Sequence, residues 1–199
     1  MTPSVRNFAL AIDRQRQGVE RIPVLAGARQ DLVAACVALD EAEVLAIAIS
    51  LDDPQAELVR FQEAARAVSV PVLRTDLLLE EFQIYQSRVA LADAVLLRAG
   101  AVTPEVLARM AQAAKSTHMA ACIACATAEE LALAASLQPA VIALPEALLH
   151  LPLPPRVLLL ALSGGPALRG RADAVLDEQL GASPDPAHAF RTLLETEDS

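Results

Sequence analysis

The sequence predicts a single-domain (β/α)8 barrel built from 199 residues. Three observations predict it. Eight short apolar runs recur along the chain, and most are hydrophobic at every position, as parallel strands covered on both faces are. Ala- and Leu-rich stretches with helix-start signals separate most of these runs. The connections are short, which a barrel of this length requires when about 250 residues is typical of the architecture. An open doubly wound sheet is the alternative arrangement of the same units.

Residues 1–20 read as an N-terminal extension, followed by a first strand at Ile22–Ala26 and a second at Val44–Ser50. Asp53 is placed to cap a helix from Pro54 to Val68, with proline at the first helical position, where its missing N–H costs nothing. The third strand is Val70–Arg74. Between Glu80 and Ala90, Phe82, Tyr85 and Val89 recur at helical spacing. The fourth strand, Ala94–Arg98, precedes Thr103-Pro-Glu, which opens a helix reaching about Lys115. The fifth strand is Met119–Cys125, and Thr127 with Glu130 three residues on has the form of a capping box that starts the next helix.

The sixth strand is Ala140–Leu144. Pro145–Pro155 then holds four prolines and can carry little helix. Gly164–Arg171, between the seventh strand (Val157–Leu162) and the eighth (Ala174–Leu176), is also short. Both segments are expected to be loops or single turns, so the barrel has reduced helices after strands six and seven. The last helix follows Ser183-Pro-Asp-Pro and runs from about Ala187 to Glu195, and the polar tail over 195–199 is expected to fray.

Composition narrows the function. Hydrophobic residues make up 54% and charged ones 21%, with mean hydropathy +0.40, which excludes a disordered chain. Clean apolar runs such as Val157–Leu162 fall far short of the roughly 18 residues of a membrane span. No basic, then apolar, leader opens the sequence, and a cytoplasmic location is expected. The net charge of −9 argues against a nucleic-acid surface, which needs clustered Lys and Arg. Lys115 is the only lysine, so a mechanism using two lysines is excluded. Cys36, Cys122 and Cys125 suit a reducing compartment rather than a disulfide framework.

Cys122 and Cys125 have the spacing of a redox or zinc pair, but three residues along a strand send side chains to opposite faces, so they read as buried small hydrophobes. His118, His150 and His188 carry no ligand spacing, and no metal or cofactor is expected. Asp52, Asp53, Thr75, Asp76, Arg98, Asp177 and Glu178 fall at the C-terminal ends of strands, where barrel sites lie. The acids among them could hold a metal through oxygen ligands or, as the plainer reading, face water, cap a helix or pair with Arg98. Leu77–Leu79 and Leu148–Leu153 lie in expected loops and suggest an apolar surface for a protein partner or a second copy of the chain.

The block VPVLRTDLLLEEFQIYQSRVALADAVLL, from Val70 to Leu97, resembles the indole-3-glycerol phosphate synthase family, with its proline-led strand, Arg-Lys-Asp-Phe segment, Gln-x-Tyr-x-x-Arg helix and Ala-Asp-Ala-Val-Leu-Leu strand. Weaker echoes are TAEEL at Thr127–Leu131, SGG at Ser163–Gly165, ADAVL at Ala172–Leu176 and SPDPAHAFRTLL at Ser183–Leu194. The resemblance implies a barrel enzyme that closes a ring on an anilino-sugar phosphate with loss of carbon dioxide and water. It also implies where the chemistry should sit, and there the residues differ. Val24 and Ala26 stand where the family's first strand carries an acid and a lysine. Thr75 replaces the lysine after the third strand, and Ala124 the glutamate of the fifth. Leu144 falls at the family's asparagine and Leu162 at the acid of the seventh strand, while Glu178 takes the place of a glycine.

Apolar groups neither donate nor accept a proton, and proton transfer contributes large factors in rate. The expectation is a barrel without the family reaction, acting as a protein-binding or structural subunit. The alternative is an enzyme or sensor for a small phosphorylated metabolite at the barrel mouth. Ser163, Gly164 and Gly165 could still offer backbone N–H groups to a phosphate, or form only a tight turn. Arg98, Asp76, Asp177 and Glu178 complete the candidate ligand set.

Overall fold

The computed structural model describes residues 6–13, 19–164, 168 and 170–197. Eight parallel strands close on themselves in chain order: β1 (Glu20–Ala26), β2 (Ile47–Ser50), β3 (Val72–Arg74), β4 (Ala94–Arg98), β5 (Ala120–Ala124), β6 (Val141–Leu144), β7 (Leu158–Ala161) and β8 (Ala174–Asp177). The closure is β1 against β8, with Ile22 opposite Leu176. The structure is the (β/α)8 barrel, not the open sheet.

The helices are α1 (Phe8–Ile12), α2 (Leu32–Glu41), α3 (Pro54–Ala67), α4 (Glu81–Val89), α5 (Pro104–Ser116), α6 (Ala128–Ser136), α7 (Glu178–Ala182) and α8 (Pro186–Glu197). Sequence signals placed the starts of α3, α5 and α6. Asp53 accepts from the N–H groups of Gln55 and Ala56, Thr103 from Val106, and Thr127 from Glu130. After β6 only a single 3-10 turn, Glu146–Leu148, stands where a helix would be. Val157 and the Leu149 side chain cover the barrel there instead, with Leu148, Leu151 and Leu153 half-buried against the same core. Leu148–Leu153 is therefore packing rather than a free surface.

Several expectations are corrected. α2 follows Asp31 as its N-cap residue, whose side chain makes no cap hydrogen bond, and its first turn has no acid. β2 begins at Ile47 rather than Val44, because the Val44 N–H still bonds the Leu39 carbonyl at the end of α2. α8 continues to Glu197, past the expected fraying point. On α4, Phe82 and Val89 are exposed (65% and 60%), and the helix buries Ile84, Ser87 and Arg88 instead. The reason is a polar layer under α4. Arg74 on the outer face of β3 is fully buried and binds Asp76 at two points and the Ser87 hydroxyl at 3.1 Å.

The extension is not an appendage. Phe8 and Ile12 of α1 are 1% and 0% exposed and join the cluster inside the barrel with Ile22, Ala46, Ala48, Leu73 and Ala94. Arg6 ties the segment to the floor of the barrel. Its guanidinium donates to the carbonyls of Ala65, Val68 and Leu91 and lies 2.8 Å from the Asp93 carboxylate. Asp93 also accepts the Val72 N–H at 2.8 Å, stitching β4 to β3. Asp173 repeats the stitch between β8 and β7 by accepting the Leu159 N–H at 2.7 Å. The two Ala-Asp-Ala-Val-Leu segments thus perform one task in two places. Among the described residues, no helix is long and apolar enough to cross a membrane.

Candidate functional site at the barrel mouth

Side chains alternate in and out along each strand. The inner cluster takes Ile22, Ala48, Leu73, Leu96, Cys122, Ala124, Val141, Ala143 and Leu160, with Val24 and Leu162 packed against it. Alternation then carries Ala26, Ser50, Thr75 and Arg98 inward at the C-terminal rim. The rim holds methyls, hydroxyls and one guanidinium. Arg98 sits opposite Ala124 in the β4–β5 register, is exposed, and has no hydrogen bond or ion pair among the described residues. Thr75 is buried, and its Oγ1 is without a hydrogen-bond partner among the described residues.

Of the positions that the resemblance matches to the family's proton-handling and polar groups, Val24, Ala26, Thr75, Ala124 and Leu162 lie at or just below this rim. Leu144 does not. β6 turns Val141 and Ala143 inward, so Leu144 faces the helix layer, fully buried, and Pro145 is the next residue at the mouth. The polar candidates also separate. Asp76 is held outside the strands by Arg74. Asp177 pairs with Arg21 at 2.9 Å and accepts the Leu180 N–H that starts α7. Among the described residues no strand-end acid pairs with Arg98, which was one of the alternatives the sequence offered. Asp52 and Glu178 are exposed, and Asp53 is the α3 cap.

Ser163, Gly164, Asp177 and Glu178 line one open cleft of about 1240 Å³, together with Arg21 and His188. Gly164 has φ +143°, and a Cβ there would meet Leu168 at 2.6 Å, so the glycine is needed for the turn itself. Gly165 lies outside the described residues. Arg98, Ala124 and Leu162 instead line a second cavity of about 380 Å³ at the mouth, with Pro145 and Glu130.

Glu130 is a site residue that the sequence presented only as part of a capping box. Its Oε2 accepts the Ala126 N–H at 2.6 Å, while Oε1 lies 2.5 Å from where a Cβ on Gly100 would be. Gly100 therefore makes room for the carboxylate. Burial pushes the Cys125 thiol up to about 12, and the Glu130 charge adds to that shift. Cys122 faces the barrel interior and Cys125 the helix layer, as the strand spacing requires. Burial alone raises the Cys122 thiol. Among the described residues, no three of His, Cys, Asp or Glu gather as a metal site would require.

The family model for indole-3-glycerol phosphate synthase matches residues 23–150. An indole-3-glycerol phosphate synthase of Desulforamulus reducens is 41% identical over 75 residues, covering 38% of this chain and 28% of that protein. One from Neisseria meningitidis serogroup C is 38% identical over 84 residues, covering 41% and 32%. The matched stretches thus span only about a third of these relatives' length. Among solved structures, orotidine 5'-phosphate decarboxylase from Pyrococcus horikoshii superposes with a TM-score of 0.68 at 12% identity, covering 86% of this chain and 96% of that one. A structure described as native KDPGal gives 0.66 at 17%, covering 90% and 96%. At such identities these two show the fold alone.

Proposed function

The chain belongs to the indole-3-glycerol phosphate synthase family, and from that premise we propose that it is a member whose barrel serves as a binding or structural subunit rather than as a catalyst of the family's ring closure. The observation that carries the reading is the rim itself. Closing a ring on an anilino-sugar phosphate requires a group that gives a proton and one that takes it, each within hydrogen-bond reach of substrate. The positions matched to the family's chemistry at the strand tips carry Val24, Ala26, Thr75, Ala124 and Leu162, with Ser50 and Arg98 beside them, and the carboxylate that shares the mouth cavity, Glu130, comes from α6 and braces the Ala126 N–H. A guanidinium stays protonated throughout the working range, and an alanine has nothing to exchange. The single lysine, Lys115, belongs to the last turn of α5, at the opposite end of the barrel from the strand tips.

A partner role draws on the β3–α4 corner. Leu77, Leu79 and Phe82 are 50%, 44% and 65% exposed within six residues of chain, beside buried Leu78. Clustered exposed apolar side chains mark protein contacts more often than solitary ones do.

The test is turnover of the family's anilino-sugar phosphate by the purified chain, read as indole-3-glycerol phosphate. The expected result is no rate above the protein-free blank, and measurable turnover overturns the reading. Light scattering after size exclusion addresses the subunit role: self-association or a co-eluting partner supports it, and a lone monomer counts against it.

A second reading, binding of a small phosphorylated metabolite, is favoured by Ser163 and Gly164 sharing a cleft with Arg21 and His188. It is opposed by Glu178, whose charge in the same cleft repels a phosphate. Calorimetry with the anilino-sugar phosphate separates the two, since binding without turnover would select the second.

A further inference from the structure

We infer that the cavity between the ends of β4 and β7 is a binding site for a small aliphatic α-amino acid, with Arg98 receiving its carboxylate and Glu130 its ammonium group. The inference is independent of whether ring closure has been lost, because neither residue stands at a position matched to the family's catalytic groups.

Two opposite charges line a cavity of about 380 Å³, yet they make no ion pair with each other. That volume lies at the lower end of the range for ligand pockets, which suits a molecule of a few heavy atoms. The remaining wall is apolar: Ala124, Pro145 and Leu162. A ligand carrying one negative and one positive group on a short aliphatic body satisfies all three surfaces at once. A lone anion would leave Glu130 facing it, and a lone cation would face Arg98.

Glu57 shows what such a glutamate does without a site. It too stands in the first turn of its helix and accepts a loop N–H, that of Asp52 at 3.1 Å, above a glycine, Gly27, that leaves it space. Glu130 braces its loop in the same way through the Ala126 N–H. The difference is that Glu130 also lines a cavity whose other charged group, Arg98, is without a hydrogen bond or ion pair among the described residues. A guanidinium offers five N–H donors in a fixed fork that matches a carboxylate.

The experiment is calorimetry on the full chain with alanine and valine, with propionate and isobutyrate, which lack the amine, and with ethylamine and isobutylamine, which lack the carboxylate. The amino acids are expected to bind at least about tenfold more tightly than either half, since each charge-assisted contact contributes on that order. Arg98→Gln is expected to weaken amino-acid binding by about tenfold or more, and Glu130→Gln likewise, while Glu130→Gln, by removing the charge that faces them, binds the bare carboxylates at least as tightly as the wild type. Glu130→Gln keeps an oxygen for the Ala126 N–H, and Arg98 makes no structural contact, so unchanged thermal unfolding is expected of both. Equal binding of propionate and alanine, binding of neither, or wild-type affinity in both variants overturns the proposal. The turnover assay reads a different product, so failure here leaves the proposal on catalysis standing, and the reverse holds.

Discussion

Arg74 and Asp76 meet at two points inside the protein, Nε to Oδ1 at 2.7 Å and Nη2 to Oδ2 at 2.8 Å, with side chains 0% and 4% exposed. The pair lies between β3 and α4, where an ordinary barrel places aliphatic packing. Removing one member leaves the other charge buried and unpaired, which costs about 3–5 kcal/mol, whereas removing both with apolar residues of similar volume is far milder. Asp76→Ala is therefore expected to lower stability by about 3–5 kcal/mol in urea unfolding, and Arg74→Met with Asp76→Leu by markedly less. Equal losses in the single and double variants would show the pair to be energetically inert.

Helices α2, α4, α5 and α6 all end on residues with positive φ that are not glycine: Glu43 (63°), Leu91 (70°), His118 (60°) and Gln138 (49°). Side chains carrying a Cβ are strained there, and glycine is the usual occupant. His118→Gly and Glu43→Gly, both at exposed positions, are expected to stabilise the fold by about 0.5–1 kcal/mol each, net of glycine's greater unfolded-state freedom. Chemical denaturation midpoints check this.

Gly181 of α7 admits no side chain. A Cβ would lie 1.9 Å from the Val24 carbonyl oxygen, which is backbone and cannot swing aside. Gly181→Ala is expected to cost at least about 1–3 kcal/mol by pushing α7 off β1, visible as a lowered melting temperature.

Cys36 and Cys125 are shifted by burial from 9.0 to about 12. Each folded thiol holds its proton where the unfolded thiol has lost it. Their contribution to stability is therefore intact below pH 9.0 and disappears as pH rises toward about 12. At neutral pH an aromatic disulfide reagent is expected to label none of the three cysteines in the native protein and all three after denaturation. Fast labelling of the folded chain would contradict the burial.

Much of the architecture was legible because it rests on local signals. The continuously apolar strands and the caps Asp53, Thr103 and Thr127 each announce themselves within a few residues. The prolines after β6 likewise exclude a helix there. What was hidden depends on partners far along the chain. α2 has no side-chain cap and no polar face to reveal its period, and it is held by packing against α3 and α8. The apolar rhythm of Phe82, Tyr85 and Val89 marked α4 as helical but not which face it buries, because Ser87 and Arg88 on the buried face find their partners in Arg74 of β3 and in Ala92 and Asp93 just before β4. Leu144 was matched to the family's asparagine through the resemblance, and a shift of one residue in such a match reverses the side of a strand. Glu130 was visible as a cap, but that it also faces Arg98's cavity depends on Gly100, thirty residues earlier.

The plug formed by α1 bears on how the molecule is made. Residues around Arg6 leave the ribosome before any strand they dock against, and the grip of Arg6 on Leu91 and Asp93 spans more than eighty positions of sequence. Until β4 exists, Phe8 and Ile12 have no interior to enter, and a greasy segment must wait in solution while half of the cylinder is synthesised. Closure from below is thus a late event in assembly, and a nascent chain stalled short of β4 would present that segment to chaperones.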